Sequence, residues 1–505
     1  SDFVYDLLIV GAGINGAGIA RDAAGRGLKT LLIDAGDLGG ATSSASTKLI
    51  HGGLRYLEFN AFGLVRKALK EREVLLDIAP HICWPQSFVL PQGGGGRPDW
   101  MLRAGLFLYD RLAARRAVPG SARINLHNDR AGRALADKDV TAFRYWDGWV
   151  DDARLVIANC QDAAARGARV LPRTRALSAA RGDMVWRVAL SSGETVAARQ
   201  IVNAAGPWAG EVARDVLGVV DAPPLRLVQG SHIVTRRAHL GRDAFMLQQP
   251  DGRIVFILPY ERDFSLIGTT EKAIPSPDAA AASEEEVAYL LAAANRWLAR
   301  PLSEADIVHR FVGVRPLVLE PGKGDRETTR DWHIEPHQGM GALSVIGGKL
   351  TTYRLLAEDV LARVSAGQAP WTAKAPLPGG DVPRAPGEDG QKAFGLWVQQ
   401  LIKAQENYDP KLVRRLAYTL GTAAVPLLEQ GLGRNIGGLF EAELVHYRDH
   451  EWATTSEDVL WRRTKMGLHI GSAGRAAVAE WFGEDAGPVQ PDLPLSHRFE
   501  RPQPL

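Results

Sequence analysis

The chain is poor in the features that mark secreted, membrane-spanning or polyanion-binding proteins. It has two cysteines in 505 residues, Cys83 and Cys160, far apart and in no metal-ligand spacing. That argues against a disulfide framework and for a reducing compartment. A redox pair is the sharper reading of the two thiols, and small buried side chains the plainer one. No window approaches ~20 uninterrupted apolar residues, so no transmembrane helix is expected. The first residues run straight into a strand pattern, and no signal peptide is expected. The net charge is +2, so nucleic acid is not an expected partner. No internal repeat is visible. A chain of this length predicts two or three domains around a large core.

What is present is organised around residues 5–34, YDLLIVGAGINGAGIARDAAGRGLKTLLID. An apolar run suited to a buried parallel strand leads into Gly11, Gly13 and Gly16 in Gly-x-Gly-x-x-Gly spacing. Gly11 permits the tight turn, Gly13 lets a pyrophosphate approach the backbone, and Gly16 lets helix pack on strand. The helix that starts near Asn15 points free N–H groups at the phosphates. Asp34 closes the next strand, where a carboxylate can accept from a ribose hydroxyl. The bland alternative is a glycine-rich turn in an ordinary α/β domain.

The loop at 35–59 is dense in hydroxyls, Thr42, Ser43, Ser44, Ser46 and Thr47, which can bond phosphates and ring edges. His51, Gly52, Gly53, Arg55 and Tyr56 follow. Residues 60–78 read as an exposed amphipathic helix. Residues 99–116 read as a helix with Arg103, Arg111, Arg115 and Arg116, either core-packed or lying on a membrane surface. A strand ending near Ala205 and Gly206, and the glycine pair before 349–354, are further dinucleotide-crevice features. Residues 369–386 are rich in Pro and Gly and read as a linker. Several helices follow.

The stretches GAGINGAGIARDAAGRG, ATSSASTKLIHGGLRYLE, WVDDARL, GPW, GSHIV, IGTT, GVRPL and GGKLTTYR occur in one order. With EAELVHYRDHEWATTSEDVLWRRTKMGL at 441–468, the chain resembles the FAD-dependent, aerobic glycerol-3-phosphate dehydrogenases. The resemblance implies an α/β fold: a discontinuous glutathione-reductase-like FAD-binding Rossmann domain, a β-rich substrate-covering domain and an α-helical C-terminal domain. The expected bounds are 1–85, 145–220 and 338–367 for FAD, 86–144 and 221–337 for the cap, 368–386 for the linker and 387–505 for the helices. It implies oxidation of sn-glycerol 3-phosphate to dihydroxyacetone phosphate, with electrons passed to a membrane quinone. It implies non-covalent FAD and a seat on the anionic inner face of the cell membrane, on the cytoplasmic side. Oligomeric state stays open, with a homodimer as one option.

A phosphate dianion needs cations in fixed geometry, and Arg offers paired donors. Arg55 and Arg315 are the expected clamp, with Arg330 and Lys349 behind them; each alone could equally be a surface ion pair. His232 and His51 are the candidate bases. By resemblance His232, Arg315 and Lys349 are catalytic, and Arg55, Tyr56, Thr270 and Arg330 bind substrate. The cofactor is assigned Gly11, Gly13, Ile14, Asn15, Gly16, Asp34, Thr42, Ser43, Ser44, Lys48, Leu49, His51, Gly52 and Gly53. Ala205, Gly206, Gly348, Leu350 and Thr351 complete that set. Asp34 departs from the Glu usual in this family, so its shorter reach shifts the ribose contact or passes it through water. Competing readings are an oxidase using oxygen, another flavin oxidase of a small anionic hydroxy or amino acid, and a flavin-holding scaffold.

Overall fold

The strand Val4–Val10 is buried because both of its faces are covered. Ile9 packs with helices and Leu8 with the strands Ala176–Arg181 and Trp186–Leu190, which pair onto the same sheet, and neither has exposed surface. In this computed structural model, which describes residues 3–93, 97–319 and 331–485, it is the centre of an eight-stranded sheet. Thr30–Ile33 and Thr195–Asn203 flank it in parallel register. Arg169–Leu171 extends one side; Ala342–Gly347 and the antiparallel Trp332–His337 extend the other. Helices Ile14–Gly25, Asp152–Ala165 and Tyr353–Val364 pack together on one face. Parallel strands with crossover helices are the architecture the glycine motif predicts.

A ten-stranded sheet roofs this layer. Its order is Lys272–Ile274, Leu225–Arg236, Phe264–Gly268, Ile254–Tyr260, Ala244–Gln248, Cys83–Pro91, Ala142–Val150 and Leu49–Ile50. Ile307–Val318 pairs along Leu225–Arg236. Two expected boundaries move. Cys83–Pro91 pairs with Ala142–Val150 along its whole length, so no boundary can fall at 85 or 145. Trp332–His337 belongs to the first sheet, so the cap ends before it rather than at 337.

Three further expectations are corrected. Phe62–Ile78 is not an exposed helix: Glu71 and Arg72 are buried, paired with Arg354 at 2.6 Å and Asp147 at 2.8 Å. The helix expected over 99–116 ends at Tyr109. The stretch read as a linker is packed: Leu377 is fully buried, and Trp371 lies under the guanidinium groups of Arg21 and Arg166. Beyond it Gly390–Ala404, Pro410–Leu420, Ala424–Gln430, Glu441–His450 and Ser472–Trp481 surround a core of their own, including Phe394, Leu416, Leu444 and Tyr447.

Candidate active site

The glycine turn has the geometry its spacing requires. Gly11 sits at φ +105°, and a Cβ there would lie 2.3 Å from the Ala204 carbonyl oxygen. At Gly16 a Cβ would lie 1.7 Å from the Gly11 oxygen, so only glycine lets this helix approach its strand. Gly13 is different: it faces the cleft, and a Cβ would meet only Ser43 Oγ, at 3.0 Å. The Ile14 N–H donates to that same Oγ at 2.9 Å, which fixes the hydroxyl loop against the helix start.

A cleft of about 620 Å³ opens from this turn, in the size range of cofactor sites. Ile14, Asn15, Thr42, Ser43, Lys48, Leu49, His51, Gly206, Gly348, Leu350 and Thr351 line it. The Asn15 amide donates to the Gly347 oxygen at 3.0 Å, while its own Oδ1 is buried without a partner. A buried acceptor with nothing to accept is costly in a bare protein, and a ligand in the cleft would satisfy it. Lys48 is held by Asp152 at 2.8 Å, both side chains being fully buried. Burial lowers the lysine's proton affinity, and Asp152 opposes that.

A smaller chamber of about 190 Å³ adjoins the cleft. His51, Tyr56, Thr47, Thr269 and Arg315 line both. Arg55 and Glu271 line the chamber alone, whose floor is Phe88, Tyr145, Met246 and Phe256. Lys349 belongs to the cleft and places its Nζ 4.0 Å above the Tyr56 ring. His232 Nε2 shares a 2.8 Å hydrogen bond with Thr47 Oγ1, and its ring stacks on Phe311. Burial, together with the charges of Lys48 and Arg315, lowers the His232 pKa to about 3. The imidazole is therefore neutral at any ordinary pH. The chamber's lining combines the guanidinium groups of Arg55, Arg253 and Arg315 with aromatic carbon, and Thr47, His51 and Thr269 line both it and the cleft. That arrangement suits a small anionic alcohol.

Several assigned residues do other work. Thr270 does not line the chamber; it accepts from the Ser231 N–H and donates to Glu286 at 2.7 Å. The chain leaves its strand at Gly268, so Thr269 takes the place expected of Thr270. Gly52 is a packing glycine, with Leu69 and Tyr109 where a Cβ would go. Ser44 turns back to Ala41, and Ala205 lies beside Gly11 rather than in the cleft. Asp34 spends both oxygens on the Ala12 and Gly36 N–H groups, at 2.7 and 2.8 Å. Burial raises its pKa against those bonds. A ribose hydroxyl would have to share an oxygen already in use. Arg330 lies outside the described residues. Thr47 and Glu271 were not singled out for the site; Thr47 stands in the hydroxyl run, whereas nothing in the sequence marks Glu271.

A nucleotide crevice in a parallel sheet, roofed by a second sheet with an arginine-lined chamber beside it, defines the class of flavoprotein oxidoreductases. The model of the family described as FAD dependent oxidoreductase matches residues 6–354. A glycerol-3-phosphate dehydrogenase of Pseudomonas aeruginosa is 45% identical, with 95% of each chain covered. A D-erythritol 1-phosphate dehydrogenase of Brucella abortus is 44% identical over 94% of this chain and 97% of its own. The solved glycerol-3-phosphate dehydrogenase of Bacillus halodurans, complexed with FAD, superposes with a TM-score of 0.76 at 26% identity, covering 96% and 91%. The chain belongs to the FAD-dependent oxidoreductase family, within the group these dehydrogenases form.

Proposed function

We propose that the protein oxidises sn-glycerol 3-phosphate to dihydroxyacetone phosphate and passes the electrons to a membrane quinone. The observation that supports this reading is the chamber beside the cleft, whose lining includes the guanidinium groups of Arg55 and Arg315. Bound FAD would supply the hydride acceptor that no side chain can be. Gly13, Asn15, Ser43 and the Gly347–Gly348 turn would hold it. Arg55 and Arg315 bind and orient the dianion, which turns the reacting carbon toward the cleft. Thr47 and His232 face the alcohol, with the imidazole neutral and able to take its proton. A dianion beside Arg315 offsets part of the field that keeps the imidazole a weak base. Substrate binding thus raises the affinity of His232 for that proton.

A second substrate is favoured by one finding. The Brucella enzyme acts, by its name, on a four-carbon polyol phosphate, and its identity to this chain is within one per cent of the Pseudomonas enzyme's. Steady-state rates with a soluble dye acceptor separate the two. Glycerol 3-phosphate should give the higher kcat/KM, D-erythritol 1-phosphate a lower one, and glycerol almost none. The reverse order would assign the tetritol phosphate.

A quinone acceptor requires contact with lipid, and no helix among the described residues is long and apolar enough to cross a membrane. The helix Asp99–Tyr109 buries Leu102, Leu106 and Tyr109 and turns Trp100 and Phe107 outward, 68% and 58% exposed. Phe59 and Phe62 are exposed on the segments that pack beside it. Arg66, Lys70, Arg111 and Arg115 line an open groove at its end. Aromatic side chains rimmed by cations match an anionic bilayer surface. With both cysteines free and buried, this reading puts the protein on the cytoplasmic face.

A further inference from the structure

The family match stops at residue 354, and among the described residues none beyond it lines the cleft or the chamber. Yet the helical C-terminal domain grips the loop that does. Arg463 has no exposed side-chain surface and donates from both Nη atoms to the two oxygens of Asp37, at 2.7 and 2.8 Å. Arg462 Nε adds a third bond to Asp37 at 2.6 Å. Its Nη2 reaches Asp458 at 2.7 Å, and Asp458 also accepts from Arg173, in the turn that follows the strand Arg169–Leu171.

Asp37 opens a turn that braces the glycine motif. Leu38 is fully buried, and the Gly39 N–H donates to the Ala12 oxygen at 2.9 Å. Ala12 lies between Gly11 and Gly13. The same loop then carries Thr42, Ser43 and Lys48 to the cleft wall. Its far end is held too: Ser46 and Lys48 bind Asp152, and Lys465 Nζ lies 3.4 Å from Asp151. Arg462 and Arg463 thus hold the start of the loop directly, and Lys465, two residues on, reaches Asp151 next to the Asp152 that holds its far end.

We propose that the C-terminal domain is a cofactor-retention element, whose Arg462–Arg463 grip on Asp37 keeps the 37–48 loop in the conformation that holds FAD. The proposal rests on membership of the FAD family and not on the identity of the substrate. A coupling of this kind is reciprocal: what the domain does for the cofactor, the cofactor must do for the domain.

The test uses the full-length holoenzyme and follows flavin fluorescence on dilution, which reads cofactor loss without turnover. Arg463→Lys keeps a charge but loses the paired donors, and Asp37→Asn keeps the shape but loses the charge. Each should release FAD about tenfold faster than the wild type, in the usual range of site-to-site coupling. Arg415→Gln is the control: it breaks the Arg415–Glu443 pair inside the same domain, away from the grip, and should leave the release rate unchanged. Amide exchange at 458–465 in the wild type should be slower with FAD than without it. Wild-type retention in both grip variants would overturn the proposal. So would equal loss in Arg415→Gln. If neither grip variant folds, the exchange comparison decides alone, and equal exchange with and without FAD overturns it.

Discussion

At the residue scale, the guanidinium groups lining the chamber are the most direct place to perturb the chemistry. Arg315→Ala should lower kcat/KM for the phosphate substrate by roughly ten- to a hundredfold, since a charge-assisted contact is worth about 1.5–3 kcal/mol. Unchanged kinetics would remove Arg315 from the site. Thr269 and Thr270 make a sharper pair. Thr269→Val should impair turnover with little effect on stability, because Thr269 lines the chamber. Thr270→Val should do the opposite, because it strips a bond from the buried Glu286 carboxylate, which also serves Ser231, Gln229 and Ser283. Its cost is about 1.5–3 kcal/mol of unfolding free energy, readable in urea titrations. A motif such as IGTT names the neighbourhood of a contact. Which of two adjacent threonines makes it depends on where the strand ends. Glu271 was illegible for a related reason: an isolated carboxylate after a strand has no pattern until the cap sheet folds over the cleft.

Elements were legible wherever a period or a breaker marked them. The strand–turn–helix at the chain start was expected within a few residues. The helix Asp99–Tyr109 was expected seven residues too long, because Arg111, Arg115 and Arg116 have good helix propensity but pack on nothing that would hold a helix. Arg111 instead lies over the Phe107 ring, 3.6 Å from its centre. If this element seats the protein on a bilayer, binding to anionic liposomes should have two parts. Arg111, Arg115 and Arg116 to Glu should remove the salt-sensitive part, about 1 kcal/mol for each cation lost. Trp100→Ser with Phe107→Ser should remove the salt-insensitive part. All five side chains are exposed, so activity with a soluble dye should survive in both variants. Full sedimentation of both would move the membrane face elsewhere.

For the whole molecule, buried histidines set a pH limit that composition could not show. Burial lowers the pKa of His81 and His232 to about 3, and of His239 and His309 to about 4. Their folded pKa values lie below the unfolded one, so the unfolded chain takes up protons first as pH falls. Stability is fully present above about pH 6.5 and declines from there toward pH 3–4. Each deeply buried histidine costs about 1.4 kcal/mol per pH unit across that window. Urea midpoints should therefore drop steeply between pH 7 and 5, and a flat profile would mean the histidines are hydrated. The layered fold itself followed from the glycine motif and the alternation of strand and helix. Its seams did not, because Cys83–Pro91 and Ala142–Val150 are joined by pairing between residues far apart in the chain.

The central claim is that the cation chamber presents a polyol phosphate to FAD. It is tested most directly by adding sn-glycerol 3-phosphate to the yellow holoenzyme without oxygen and following the visible flavin band. The band should bleach fully at saturating substrate, with one dihydroxyacetone phosphate formed per flavin. It should return faster on adding a soluble quinone than on admitting air. A flavin that stays oxidised with both glycerol 3-phosphate and D-erythritol 1-phosphate, in protein carrying its full FAD, would contradict the account.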